Sequence, residues 1–128
     1  MGEAKRRILL VDDEPGVLKI YSKRFELAGY EVVQAVDGEE ALAKVRERPP
    51  ALIVLDIMLP RLNGYEVCGR LKQDPATRAI PIIMFTAKGQ PQEHVAGLML
   101  GAEAYISKSC PAQVLLDQVE ALLATSSS

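Results

Sequence analysis

The sequence has only two cysteines, a single histidine, no tryptophan and no long apolar run. Cys68 and Cys110 lack the spacing of metal ligands, so we interpret them as ordinary thiols of a reducing compartment. No apolar stretch approaches the roughly 20 residues of a membrane-spanning helix. The N-terminal segment lacks the longer apolar region of a secretory signal. We therefore expect a cytoplasmic protein with no membrane partner.

A surplus of positive charge is also absent. The chain has 15 Lys and Arg against 17 Asp and Glu, which gives a net charge of −2. This balance argues against nucleic acid or an anionic membrane as a direct partner. Hydrophobic residues make up 48% of the 128 residues, enough for one domain with a sizeable core. We predict an N-terminal extension over residues 1–6, one domain over 7–124 and a flexible tail over 125–128.

Five apolar, strand-like runs alternate with helical patterns along the chain. The first run is continuous rather than alternating, as expected for a strand that is covered on both faces. The predicted strands span residues 8–11, 31–35, 51–55, 82–85 and 104–106. Strict alternation of five strands and five helices predicts an α/β fold. Such a fold is a doubly wound parallel sheet with right-handed crossovers and helices on both faces.

Start and stop signals place the five predicted helices. The first helix has apolar residues at Leu18, Tyr21, Phe25 and Ala28 and stops at Gly29. The second and third begin at the N-caps Asp37 and Asn63, with Glu40 and Glu66 three residues on. The fourth is predicted from Pro91 to near Gly101, and the last from about Pro111 to Leu123, with Leu115, Val119 and Leu122 on one face.

Polar residues follow four of these apolar runs. Asp12 and Asp13 follow the first, Asp56 the third, Thr86 the fourth, and Lys108 lies just beyond the fifth. Ligands of parallel α/β sheets bind beyond the carboxyl ends of the strands, so we expect these side chains to share one pocket. Three carboxylates, a hydroxyl and an ammonium suit a divalent cation and a phosphoryl group, with one carboxylate as acceptor.

Each of these residues alone has a simpler interpretation. The acidic pair would be favourable charge at a helix start, Asp56 a turn residue, Thr86 an N-cap and Lys108 a solvated surface charge. Their joint placement at strand ends makes coincidence a poor explanation. The single histidine, His94, does not lie at the end of a predicted strand, and we interpret it as a surface residue.

Several segments resemble the receiver domains of bacterial response regulators. They are residues 8–14 (ILLVDDE), residues 55–60 (LDIMLP) with Gly64, the pair Thr86-Ala87, and residues 101–108 (GAEAYISK). The resemblance extends from about Arg7 to Leu123, and the order and spacing of the segments are specific. It implies a flavodoxin-like fold similar to the chemotaxis regulators, with five strands in the order 2-1-3-4-5.

The resemblance also implies a chemistry for the site. Asp56 would accept a phosphoryl group, with Mg²⁺ as the cofactor. Asp13 and Asp56 would bind the metal directly, Asp12 mainly through water, and the backbone carbonyl of Met58 would complete the protein ligands. The chain would catalyse only its own phosphorylation and dephosphorylation, so we do not class it as an enzyme.

A switch is implied as well. Lys108 and Thr86 would contact phosphoryl oxygens, and the ring of Tyr105 would then move to a more buried setting. By the same resemblance, this movement would change the face formed by the fourth helix, the fifth strand and the fifth helix. Tyr105 also has a simpler interpretation as a half-buried strand aromatic. The implied partners are a sensor histidine kinase or phosphotransfer protein and a downstream target on that face, with the chain a monomer or a phosphorylation-promoted dimer.

Two features next to the site are particular to this chain. We expect Met58 and Lys88 to set the lifetime of the acyl phosphate, and we expect slow self-dephosphorylation because an apolar Met58 offers no hydrogen bond to orient an attacking water. The family usually has a proline directly after the lysine, often in a cis peptide, whereas Ser109 follows Lys108 here. Either this chain keeps a cis bond, at a cost of roughly 3 kcal/mol, or its loop is rebuilt.

Two other functions compete with the phosphorylated switch. A receiver fold that binds partners without phosphorylation would be favoured by loss of a site residue, and only Ser109 points that way. A Mg²⁺-dependent phosphohydrolase of the haloacid-dehalogenase type would need a second aspartate two residues after Asp56. This chain has Met58 there, so the second alternative is weak.

Overall fold

The predicted apolar runs form one parallel sheet. A computed structural model describes residues 5–87 and 100–126 of the chain. Its strands are β1 (Arg7–Val11), β2 (Glu31–Ala35), β3 (Leu52–Leu55), β4 (Ile82–Thr86) and β5 (Ala104–Ser107). They pair in the order β2-β1-β3-β4-β5, and every neighbouring pair is parallel. The α/β fold and its strand order are therefore confirmed. Thr86 is the last residue of β4 rather than the first residue beyond it.

The described residues hold four helices, where the sequence predicted five. They are α1 (Pro15–Leu27), α2 (Gly38–Glu47), α3 (Gly64–Gln73) and α4 (Ala112–Ser126). The helix predicted from Pro91 to Gly101 falls almost wholly on residues 88–99, which are outside the described ranges, and Leu100 and Gly101 form a turn. Gly29, with φ of 100°, follows α1 as predicted. Over residues 5–87 and 100–126, no helix is long and apolar enough to cross a membrane.

Successive strand residues pack on opposite faces of the sheet, because side chains alternate along a strand. Leu9 and Leu55 pack on the face covered by α2 and α3, and Leu10 and Val54 on the face covered by α1 and α4. Every residue of β1, β3 and β4 is buried. Burial on both faces explains why these strands are almost continuous apolar runs in the sequence, broken only by Arg7 and Thr86 at their ends.

The packed face of α4 differs slightly from the prediction. Leu115 and Val119 are fully buried, as expected. Leu123 rather than Leu122 completes the buried stripe, and Leu122 is only partly buried. Leu123 is four residues beyond Val119, the spacing that keeps two side chains on one helical face.

Polar caps begin α2 and α3. Asn63 Oδ1 accepts a hydrogen bond from Glu66 N (3.0 Å), and Glu66 Oε1 accepts one from Asn63 N (3.1 Å), which is the complete capping box. At α2, Asp37 Oδ1 accepts from Glu40 N (2.8 Å). The carboxylate of Glu40, however, accepts from Val36 N (2.7 Å), one residue before the N-cap. Both predicted N-caps are confirmed, and only α3 has the reciprocal bond.

The start of α3 lies directly against the end of β3. Gly64 N donates to Ile57 O (3.0 Å). A Cβ atom at Gly64 would lie 2.8 Å from Ile57 Cα and closer still to the backbone oxygen of Asp56. Only glycine allows this approach. The backbone that carries Asp56 is therefore held against α3.

Candidate functional site

Asp12 and Asp56 follow two neighbouring strands and lie side by side. The register of β1 and β3 places Val11 opposite Leu55, and Asp56 N donates to Val11 O (3.0 Å). The next residue of each strand is the aspartate, so both carboxylates emerge at the same edge of the sheet. Their exposure is 1% for Asp12 and 3% for Asp56, whereas Asp13 is exposed.

The three aspartates fit a metal site. Each of Asp12, Asp13 and Asp56 contributes one carboxylate oxygen, and these three atoms lie within 4.8 Å of one another. An oxygen-only set suits a hard divalent cation. Asp12 Oδ2 is buried and accepts no hydrogen bond. Lys108 Nζ lies 2.7 Å away in ion-pair contact, without the geometry of a hydrogen bond. The ion pair with Lys108 compensates part of the cost of burying this oxygen, and a metal ion or its bound water would compensate more of it.

Lys108 brings a positive charge to these carboxylates. Its Nζ donates to Asp56 Oδ2 (3.0 Å) and to Glu14 Oε1 (2.8 Å). Its side chain is 13% exposed. The backbone N–H of Lys108 donates to Thr86 O (2.8 Å), which ties the exit of β5 to the end of β4. Lys108, which Ser109 rather than proline follows, therefore contacts the carboxylates directly.

Ser107 stabilises the turn that follows β5. Of the described residues none precedes a cis peptide bond, so Lys108 and Ser109 are joined in trans. Cys110 N donates to Ser107 O (3.0 Å), and Ser109 N donates to Ser107 Oγ (3.1 Å). The Ser107 side chain thus supports the turn that follows it. Of the two alternatives drawn from the sequence, the rebuilt loop is present.

Burial and charge pairing shift two pKa values at the site. Burial raises the pKa of Asp12, and Lys108, which lowers it, compensates only in part. Burial alone would lower the pKa of Lys108. The contacts of its ammonium with the carboxylates of Asp12, Glu14 and Asp56 outweigh this effect and raise the pKa of the lysine. Lys108 therefore stays charged wherever the carboxylates around it are ionised.

Three further predicted residues, Thr86, Tyr105 and Met58, have described positions. Thr86 is fully buried at the end of β4 and pairs with Ser107 in the sheet. Tyr105 is partly buried and packs on the face that α2 and α3 cover. Met58 is 55% exposed, and its backbone N–H donates to Asp56 Oδ1 (3.3 Å). Lys88 and His94 are outside the described residues.

Glu14 is a site residue to which the sequence assigned no role. Its carboxylate contacts Lys108, from which it is separated by 94 positions. The signal available in the sequence was its place directly after the acidic pair. That signal is equally well explained by favourable charge at the start of α1, so only the folded chain shows the partner of this carboxylate.

Comparison with known proteins agrees with this fold. Residues 8–120 match the response regulator receiver domain family. The chain is 44% identical over 117 residues to the DNA-binding dual master transcriptional regulator RpaA of a Synechocystis species, covering 91% of this chain and 48% of that protein. It is 43% identical over 118 residues to the alkaline phosphatase synthesis transcriptional regulatory protein PhoP of Bacillus subtilis, covering 92% and 48%.

Solved structures show the same likeness. A CheY-like response regulator receiver domain protein from Methanospirillum hungatei JF-1 matches with a TM-score of 0.89 at 31% identity, covering 95% of this chain and 96% of that one. The BeF3-activated receiver domain of Klebsiella pneumoniae RstA matches with a TM-score of 0.85 at 30% identity, covering 91% and 97%.

The chain belongs to the response regulator receiver domain family. It is a receiver domain of the kind found in two-component response regulators. The chain spans about half the length of the curated relatives it matches.

Proposed function

We propose that this domain accepts a phosphoryl group on Asp56 and changes its output surface in response. The observation that supports this most is the contact of Lys108 Nζ with Asp56 Oδ2 at 3.0 Å, in a pocket shared with Asp12 and Asp13. Phosphoryl transfer to an aspartate needs an acceptor carboxylate, further carboxylates for a metal and a positioned cation. The pocket contains all of these groups, and membership of the receiver family supports the same assignment.

Mg²⁺ is the cation we propose for the acidic cluster. Asp13 and Asp56 would bind it directly, Asp12 mainly through water, and the Met58 carbonyl would complete the protein ligands. When bound, it would neutralise the carboxylates and so allow an anionic phosphodonor to approach Asp56. The oxygen-only donor set and the buried Oδ2 of Asp12 support this proposal.

Asp56, Lys108 and Thr86 would then have different roles in phosphoryl transfer. A carboxylate oxygen of Asp56 attacks the phosphorus atom, the bond from phosphorus to the donor breaks, and an acyl phosphate forms. Lys108 would exchange a carboxylate partner for a phosphoryl oxygen, as a compact cation can. The hydroxyl of Thr86 would donate to another phosphoryl oxygen.

We propose that Thr86 and Tyr105 transmit the change. β4 and β5 are paired so that Thr86 lies opposite Ser107 and Met84 opposite Tyr105, and a movement of Thr86 would therefore act on the strand that carries Tyr105. The output face would comprise the helix predicted from Pro91 to Gly101, β5 and α4. The shift can be no larger than the difference in phosphate-site free energy between the two states.

The proposed phosphodonor is a sensor histidine kinase or a phosphotransfer protein in the cytoplasm, and the proposed target is a protein that binds the output face. Without a basic surplus, the domain itself is not expected to bind nucleic acid. The chain would act as a monomer or as a phosphorylation-promoted dimer. Sedimentation of the phosphorylated and unphosphorylated forms would distinguish these two.

Acetyl phosphate with Mg²⁺, followed by intact-mass measurement, tests the proposal. We expect one phosphoryl group on the wild type, none on Asp56→Asn, and little without Mg²⁺. Asp117→Asn, at an exposed position of α4, is the matched control and should be labelled normally. Labelling of Asp56→Asn to the wild-type extent would overturn the assignment. An unlabelled wild type would instead favour the phosphorylation-independent interaction module.

A further inference from the structure

Glu14 connects the acidic pair to Lys108 at the exposed side of the site. It precedes α1 in an extended conformation (φ −92°, ψ 113°), and its backbone N–H donates to Asp12 Oδ1 (2.9 Å). Its carboxylate makes no capping bond to α1 and accepts instead from Lys108 Nζ at 2.8 Å. At 61% exposure it is far more accessible than the two aspartates that also contact Lys108.

We infer that Glu14 is a positioning residue that holds Lys108 in the unphosphorylated site and competes with the phosphoryl group for its ammonium. The inference rests on the proposed phosphorylation of Asp56. It adds a residue to which the resemblance to receiver domains assigned no role.

Lys108 can leave Glu14 more easily than it can leave either aspartate. Asp12 and Asp56 are buried, so departure of the ammonium would leave a buried charge without its partner. Glu14 is exposed, and water can replace the ammonium beside it at small cost. A phosphoryl oxygen on Asp56 would therefore take the place of Glu14 as the partner of Lys108.

Loss of Glu14 should affect the two ligands of the site in opposite directions. Without Glu14, the Lys108 ammonium interacts only with the carboxylates of Asp12 and Asp56. It then competes more strongly with a divalent cation for their oxygens. The same loss removes the carboxylate that a phosphoryl oxygen must displace. We therefore expect weaker binding of Mg²⁺ and, once Mg²⁺ saturates the site, tighter binding of a phosphoryl mimic.

Three substitutions distinguish an effect of the contact between Glu14 and Lys108 from an effect of the negative charge of Glu14. Glu14→Gln removes the charge at nearly constant size. Glu14→Asp keeps the charge but is one methylene shorter, and an aspartate at an N-cap bonds preferentially to the helix amides. Glu26→Gln removes a charge near the opposite end of α1 and is the control.

Calorimetry on the full chain supplies both measurements: the affinity for Mg²⁺ alone, and the affinity for beryllofluoride at saturating Mg²⁺. We expect Glu14→Gln and Glu14→Asp to weaken Mg²⁺ binding and to tighten beryllofluoride binding, each by about two- to fivefold, the factor typical of an exposed ion pair. Glu26→Gln should match the wild type. A merely structural role of Glu14 would not give opposite changes for the two ligands.

Equal affinities in all four proteins would overturn the inference. Wild-type affinities in Glu14→Asp would also overturn it, because charge rather than contact with Lys108 would then be responsible. Neither result bears on phosphorylation of Asp56 as long as the wild type binds beryllofluoride. A wild type that binds none would overturn the proposed function and, with it, the role of Glu14.

Discussion

Lys108 Nζ lies 3.0 Å from Asp56 Oδ2, although the lysine follows β5 and the aspartate follows β3. β4 separates these two strands in the sheet, so the contact spans the end of a whole strand. A cation bound to the acidic cluster would share the oxygens that Lys108 now contacts. Occupancy of the metal site and the position of the lysine are therefore linked.

Mg²⁺ should stabilise the folded chain, because the aspartates come together only when β1 and β3 are paired. At a Mg²⁺ concentration 100 times the dissociation constant, the gain in free energy of unfolding is about 2.7 kcal/mol. Asp13→Asn should lose most of this gain, and Asp117→Asn should keep it. Urea denaturation with Mg²⁺ and with EDTA measures the difference. A full gain in Asp13→Asn would mean that the ion binds elsewhere.

Met58→Asn should shorten the lifetime of the phosphorylated protein. The Met58 side chain is largely exposed beside Asp56 and offers no hydrogen bond to water, whereas an asparagine could orient an attacking water. We expect decay to accelerate by about an order of magnitude, a modest share of what positioned polar groups contribute to proton transfer. The decay of labelled protein in Mg²⁺, after the phosphodonor has been removed by gel filtration, gives the rate, with Met58→Leu as the apolar control. Identical rates for wild type and Met58→Asn would contradict this role.

Gly64→Ala and Gly16→Ala should change stability in opposite directions. At Gly64 the added methyl group meets the backbone of Asp56 and Ile57, so we expect a loss of about 1–3 kcal/mol and slower labelling of Asp56. At Gly16, in the first turn of α1, it meets nothing within 4 Å, so we expect a gain of about 0.4–1 kcal/mol. Urea denaturation of both variants tests the pair. A Gly64→Ala protein as stable as the wild type would show that the strand end can move.

Cys68 should make stability depend on pH in the alkaline range. Burial raises the pKa of its thiol from 9.0 to about 11, so the folded state binds this proton more tightly than the unfolded state does. The resulting stabilisation is fully present below about pH 9 and declines as the pH rises toward 11. The difference in free energy of unfolding between wild type and Cys68→Ala should therefore narrow over that range. A difference that stays constant would contradict the shift, and Cys110→Ala is the control.

The sequence was sufficient to predict the sheet and the proximity of Asp12 and Asp56. β1, β3 and β4 are buried on both faces, so they appear as almost continuous apolar runs, and the convergence of parallel strand ends then placed Asp12 beside Asp56. Local signals also located the N-caps at Asp37 and Asn63. All of these features depend on neighbouring residues or on strand direction, which a sequence pattern records.

Contacts that depend on the course of a loop or on the rotation of a helix could not be predicted in this way. The bond from Lys108 to Glu14 depends on the course of the loop after β5, which Ser107 and its neighbours set in three dimensions. The burial of Leu123 depends on how α4 is rotated against the sheet. The roles of Lys88 and the helix from Pro91 to Gly101 remain predictions.

Backbone pairing sets the separation of Asp12 and Asp56, because each aspartate follows the last paired residue of its strand. Neighbouring strands lie about 4.8 Å apart whatever side chains they carry. Substitutions within β1 or β3 therefore cannot change the separation of the two aspartates. A one-residue insertion in either strand, in contrast, would turn its aspartate toward the opposite face. During divergence, the lengths of these two strands should therefore be more tightly constrained than the identities of the apolar residues within them.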